Sequence, residues 1–177
     1  MSMDLKALVR TIPDYPKAGI MFRDITTLIE HPAGFQESVE RLAAPYKDGG
    51  FTHVAGIEAR GFIFGAAVSM VLGLGFVPIR KRGKLPGETL GQNYALEYGV
   101  DTIEIHADVV NHAHKVLLVD DLIATGGTAL AAVTLLRRTG ATCDDAAFVI
   151  DLPALGGADK LRAEHVLVHM LMDFDGY

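Results

Sequence analysis

The residues best suited to chemistry form the run Val119-Asp120-Asp121-Leu122-Ile123-Ala124-Thr125-Gly126-Gly127-Thr128. Glycines at 126 and 127 can adopt backbone conformations barred to other residues and so turn successive N–H groups toward one point. Thr125 and Thr128 add hydroxyl donors, and a helix opening here would bring the positive end of its dipole. Together these groups can hold a phosphate. Asp120 and Asp121 stand where an apolar run ends. They can accept hydrogen bonds from sugar hydroxyls, or help retain a magnesium ion that a pyrophosphate already carries, and their spacing does not assign the roles separately. A bare Asp-Asp and Gly-Gly is more often a turn and a helix cap, but the full string between a strand and a helix outweighs that reading. The string is not a Walker loop, because no Gly-Lys-Ser/Thr follows, nor a dinucleotide fingerprint, because Gly-x-Gly-x-x-Gly is absent.

Other residues could serve the same anion. Arg60 follows an apolar run and precedes Gly61 and a helix-like stretch, an arrangement that aims a guanidinium and backbone amides at one place. Arg80, Lys81, Arg82 and Lys84 form a basic cluster. It lies on residues 80–98, which also hold Pro86, Gly83, Gly87 and Gly91 and read as a long mobile lid loop that can close over a charged sugar and exclude water. Taken singly, an arginine after a strand is more often a surface ion pair, and a charge run is more often a solvated face. The histidines have no carboxylate- or cysteine-supported metal spacing, so no direct protein metal site is expected, and the lone Cys143 lies away from every motif.

The elements that must position these residues alternate in type. Short apolar runs of strand length occur at residues 53–57, 75–79, 116–119, 146–150 and 166–171, and helix-like stretches at 61–72 and 128–139 follow two of them. In the second stretch Leu130, Val133, Leu136 and Arg137 recur at helical spacing, Gly140 ends it, and Arg137 and Arg138 suit the negative end of its dipole. The alternation predicts an α/β fold, a mostly parallel central sheet flanked by helices on both faces, with ligands at the carboxyl ends of the strands. With 177 residues and no dividing linker, the chain reads as a single domain over 1–177.

Composition bounds the function. Half the residues are hydrophobic, 21% are charged, and no apolar run approaches the roughly 18 residues of a membrane-spanning helix, so no membrane partner is expected. The start of the chain lacks the pattern of a secretory signal, and one cysteine cannot form an internal disulfide, which together predict a cytoplasmic location. A net charge of -6 argues against nucleic acid as a partner.

The phosphate string resembles the motif that binds 5-phosphoribosyl 1-pyrophosphate (PRPP) in the type I phosphoribosyltransferase family. The rest of the chain is similar to the adenine-using members of that family. The resemblance rests on residues 15–26 (Tyr15 to Thr26), 56–62 (Gly56 to Phe62), 80–89 (Arg80 to Thr89) and 94–99 (Tyr94 to Gly99), in that order. It implies that residues 1–35 form a small hood over the base, with Phe22 stacking and the main chain at Phe22-Arg23 reading the base edge, while Ile123 and Ala124 line its other side. Arg60 would contact pyrophosphate together with the lid cations Lys81 and Lys84, and Glu97 would serve as acid or base at the purine ring, with Tyr98 a weaker candidate for gating. The substrates implied are adenine and PRPP, with Mg2+ as cofactor and a homodimer as the assembly. Enzymes for other bases share the phosphate loop but are expected to differ in hood and lid. A regulator that senses PRPP or a purine without chemistry would usually carry an added domain or a basic surface. Residues 152–161 match the late family segment only loosely and are expected to support structure.

Overall fold

The computed structural model describes residues 3–95 and 99–176. An antiparallel pair opens the chain: β1 (Arg10–Pro13) with β2 (Met21–Asp24). A short helix α1 (Thr26–Ile29) and the longer α2 (Pro32–Ala43) follow, the latter capped where His31 Nδ1 accepts the Gly34 amide at 3.0 Å. Then the alternation begins: β3 (His53–Ile57), α3 (Arg60–Leu72), β4 (Gly75–Lys81), β5 (Thr89–Ala95) and β6 (Val100–His106). The chain ends with β7 (Lys115–Ile123), α4 (Gly127–Arg138), β8 (Thr142–Asp151), α5 (Gly157–Ala163) and β9 (Leu167–Asp173).

Among the described residues seven strands form one sheet in the order β5-β6-β4-β3-β7-β8-β9. The five strands expected from apolar runs are its parallel part, and β5 and β6 extend it in antiparallel fashion. Because β3 continues through α3 to β4 on one side and β7 continues through α4 to β8 on the other, the sheet reverses its direction of growth between β3 and β7. A crevice opens at such a switch point, at the carboxyl ends of the two strands. Successive residues of a strand face opposite ways, so Leu117 and Val119 pack under α2 and α3 with Phe64 and Val68, while Val116 and Leu118 pack under α4 with Val133 and Leu136.

The segment read as a loop over 80–98 is in part regular structure. Arg80 and Lys81 belong to β4, the turn holds Gly83, Pro86 and Gly87, and Thr89–Ala95 is a strand. Leu90 and Tyr94 of this strand pack against the α4-side core, and Arg138 at the end of α4 donates to Gly91 O at 2.6 Å. The strand was hard to see because Gly91, Gln92 and Asn93 interrupt the apolar alternation. Arg137 likewise does more than complement a dipole: it donates to Cys143 O at 3.0 Å, to Glu164 O at 3.1 Å and to Asp144 Oδ1 at 2.6 Å.

Candidate active site

At the switch point the β7 strand runs through both carboxylates to Ile123, held by β8 pairing of Asp120 with Phe148 and Ile123 with Asp151. The carboxylates have different surroundings. Arg60 Nε donates to Asp121 Oδ2 at 2.5 Å, whereas Asp120 Oδ1 accepts the Asp121 amide at 2.9 Å. Burial, followed by the Asp121 charge beside it, pushes the Asp120 carboxyl well above the ordinary carboxylate range. Burial works against the Arg60 charge, but the bond to Asp121 and the nearby carboxylates of Asp120 and Asp24 outweigh it and raise its pKa. Helix α3 reaches this point because residue 61 is glycine: a Cβ there would lie 2.6 Å from Asp120 Oδ1.

The phosphate loop turns at Gly126, whose φ of +76° is the left-handed conformation that favours glycine, and α4 starts at the next residue. Behind it lies a support that the sequence reading attached only to general structure. Gly157 N donates to Ala124 O at 3.0 Å, and a Cβ on Gly157 would come within 2.3 Å of that oxygen and 2.7 Å of Gly126 N. The loosely matching late segment therefore backs the loop directly.

A cavity of about 440 Å³ opens over these groups. Arg60, Asp120, Asp121, Ile123, Ala124, Thr125, Gly126, Gly127 and Thr128 line it, joined by Lys81, Tyr94 and Glu58. Lys84 is not among its lining residues; its carbonyl accepts from Arg80 Nη1 at 2.8 Å. Glu58 accepts from Arg80 Nη2 at 3.1 Å and from the Lys81 amide at 3.1 Å, and the bond to Arg80 lowers its pKa against the opposing effect of burial. The Glu58–Ala59 peptide is cis.

A second cavity, of about 260 Å³, lies beneath the β1–β2 pair and is lined by Ile12, Tyr15, Phe22, Asp24, Ile25, Thr26 and Arg60. Phe22 meets Tyr15 edge-on at 5.2 Å between ring centres. Arg23 is not among the lining residues, and its side chain is engaged elsewhere. It donates to Thr11 Oγ1 at 2.6 Å and to Asp175 O at 2.8 Å, and its guanidinium sits 4.6 Å from the Phe174 ring centre. Ile123 and Ala124, expected against the base, border the first of these cavities. Asp24, bound by Arg10 and by the Thr26 amide at 3.0 Å, is held at a pKa of about 2. Arg60 lines both cavities. Glu97 and Tyr98 lie outside the described residues.

The sequence reading did not single out Tyr15, Asp24, Glu58, Tyr94 or Gly157. The first four sit inside the strings that carried the family resemblance, so adjacency to a motif was their only signal. Gly157 lies in the loosely matching segment 152–161, and its role depends on a contact 31 to 33 residues away in sequence, with Gly126 and Ala124.

The phosphoribosyl transferase domain family matches residues 25–166 of this chain. The chain belongs to the phosphoribosyltransferase family. Within it, the adenine phosphoribosyltransferase of Methylobacterium radiotolerans is 60% identical over 173 residues, covering 98% of this chain and 96% of that protein. The crystal structure of adenine phosphoribosyltransferase from Thermoanaerobacter pseudethanolicus matches with a TM-score of 0.92 at 44% identity, covering 97% of this chain and 98% of that one. That of the Saccharomyces cerevisiae enzyme, complexed with D-2,5-dideoxy-2,5-imino-altritol 1,6-bisphosphate and adenine, matches with a TM-score of 0.89 at 36% identity, covering 96% and 97%. The particular proteins this chain resembles from end to end are thus adenine phosphoribosyltransferases.

Proposed function

We propose that the chain is an adenine phosphoribosyltransferase of purine salvage, forming AMP and pyrophosphate from adenine and PRPP. The carrying observation is that Arg60, bonded to Asp121, lines both the phosphate cavity and the cavity beneath Phe22. One guanidinium stands between a place for an anion and a place for a flat ring. In this reading the amides and hydroxyls of residues 124–128 hold the sugar phosphate at the start of α4. Asp120 and Asp121 face the ribose hydroxyls, and Arg60 and Lys81 meet the pyrophosphate whose charge grows as its bond to the anomeric carbon breaks. The ring nitrogen of adenine then bonds to that carbon from the opposite face, with inversion. Glu97, carried over from the family resemblance, handles the proton at the purine ring. The main chain around Phe22 and Arg23 reads the base edge.

The donor set fits a magnesium ion that arrives with its substrate. Two adjacent carboxylates border the phosphate cavity. Magnesium is commonly held by one or two carboxylates together with substrate phosphates. When bound, it would neutralise charge on the leaving pyrophosphate.

The reading includes a single domain and a homodimer. For the dimer, support comes from α3, where Ile63, Met70 and Val71 are exposed and Met70 is 83% accessible, leaving an apolar face on a helix that begins at Arg60. Met70→Glu is expected to shift the sedimenting species from dimer to monomer. Among the described residues no helix is long and apolar enough to cross a membrane. A cytoplasmic location fits the single buried cysteine.

The test is pyrophosphate release with magnesium and PRPP when adenine, hypoxanthine, guanine, xanthine or orotate is offered separately. Turnover with adenine alone, lost in the Asp120→Ala/Asp121→Ala double variant, is the expected result. Preference for another base would overturn the reading of the hood, and binding of PRPP without turnover of any base would make the chain a sensor.

A further inference from the structure

Three residues near the phosphate cavity are brought together by sheet register and not by any motif. Tyr94 on β5 stands directly opposite Asp101 on β6, and Lys81 on β4 is paired with Ile103. Alternate residues of a strand share a face, so Asp101 and Ile103 lie on the same side, and a side chain as long as lysine reaches the diagonal neighbour. The contacts follow from that register. The Tyr94 hydroxyl donates to Asp101 Oδ2 at 3.0 Å, and Lys81 Nζ lies 3.5 Å from the same oxygen. Asp101 Oδ1 accepts the Thr102 amide at 2.8 Å, which fixes the plane of the carboxylate. Lys81 and Tyr94 line the phosphate cavity, whereas Asp101 is not among its lining residues. Of the neighbouring cations, Arg80 is engaged by Glu58 and the Lys84 carbonyl, which leaves Lys81 as the cluster residue that borders the cavity.

We propose that Asp101 is a positioning residue for phosphoribosyl transfer, placing Lys81 and Tyr94 where they meet the pyrophosphate group of PRPP. The proposal rests on the phosphoribosyltransferase reading of the site. A lysine side chain loses much rotamer freedom when an anion immobilises it, so holding the ammonium near its working place in advance lowers the cost of binding. The hold is weak enough to yield: the Lys81 side chain is 60% exposed, and an exposed ion pair adds little stability of its own. A polyanion outcompetes one carboxylate, so Asp101 orients Lys81 without withholding it. Tyr94 is placed by the same oxygen. Burial and then the bond to Asp101 raise its pKa, and the hydroxyl lies beside Thr128 of the phosphate loop.

Asp101→Asn preserves size and an acceptor for Tyr94 but removes the charge facing Lys81. The expected result is a rise of about 3- to 10-fold in the KM for PRPP and in the Kd for magnesium pyrophosphate, with kcat and the adenine KM changed by less than about twofold. In a Lys81→Met background the same substitution should add nothing, because the charge it acts on is gone. Asp101→Glu, which retains the charge, should recover most of the PRPP affinity, and Tyr94→Phe should give a smaller rise in KM. Calorimetry with magnesium pyrophosphate and no base reads the effect independently of which base the enzyme turns over. Unchanged or tighter pyrophosphate binding in Asp101→Asn would overturn the proposal. So would an effect undiminished by Lys81→Met, or a fall in kcat and Tm together.

Discussion

Two regions meet at the phosphate cavity, and they are held together differently. On one side β7 leads through Asp120 and Asp121 into the loop and α4; its residues Val116, Leu117, Leu118 and Val119 are all fully buried, covered by helices on both faces. On the other side the β4–β6–β5 antiparallel strands pack one face on α4 through Leu90 and Tyr94. They tie their exposed parts by polar contacts such as Thr102 Oγ1 to Asn93 Oδ1 at 2.8 Å and Gly83 N to Glu104 Oε2 at 3.0 Å. The first region presents backbone amides and carboxylates whose positions the core dictates. The second presents cations on flexible stems, placed by pairs that water and salt can weaken. The difference is one of rigidity: on the proposed function, fixed groups would hold the sugar phosphate and adjustable groups would answer the pyrophosphate.

The comparison can be broken most sharply where backbone meets backbone. Gly157→Val would drive a Cβ against Ala124 O and Gly126 N, so about 3 kcal/mol or more of stability should be lost, read as a fall in Tm, with activity abolished. An active, stable variant would show that the loop is not held from behind. Next, Arg60→Gln should lower kcat/KM about 100- to 1,000-fold while the protein stays folded, because the Arg60 side chain is 54% exposed and its main duty would be to a developing charge. On the antiparallel side effects should be smaller. Arg138→Ala removes the donor to Gly91 O and to Gln92 Oε1 at 3.1 Å, and is expected to raise the PRPP KM about twofold and cost about 1 kcal/mol.

Smallest at neutral pH, but visible in acid, is the Asp24 contact in the hood. Its pKa falls from 3.8 to about 2 on folding, mainly through Arg10 and then the Thr26 amide. A carboxylate with a lowered folded pKa contributes stability above its unfolded pKa and loses it as the pH falls through the folded one. Stability should therefore decline between about pH 4 and pH 2, and Asp24→Asn should flatten that decline while costing about 1 kcal/mol at pH 7, a modest figure because Arg10 is largely exposed. Denaturant midpoints measured across that range check the slope.

Legibility followed the same divide. The central parallel strands β3, β7 and β8 announced themselves because burial on both faces demands unbroken apolar runs such as Val116 to Val119. The phosphate loop was legible because its chemistry is local: two carboxylates, two glycines and two threonines within nine residues. Strand β5 was not, since only Leu90 and Tyr94 need be apolar when one face meets water. The side-chain course of Arg23 was also invisible, because Thr11, Phe174 and Asp175 attract it from distant points of the chain.

The sequence by itself determined the class of fold, the Gly-Gly loop ahead of α4 and the family, because periodicity and local loop chemistry are written in adjacent residues. Tertiary structure alone decided which carboxylate faces Arg60, that Gly157 buttresses the loop, and that Tyr94, Asp101 and Lys81 share one oxygen. Each depends on register or close approach between segments far apart in the chain, and those are settled by packing across the sheet.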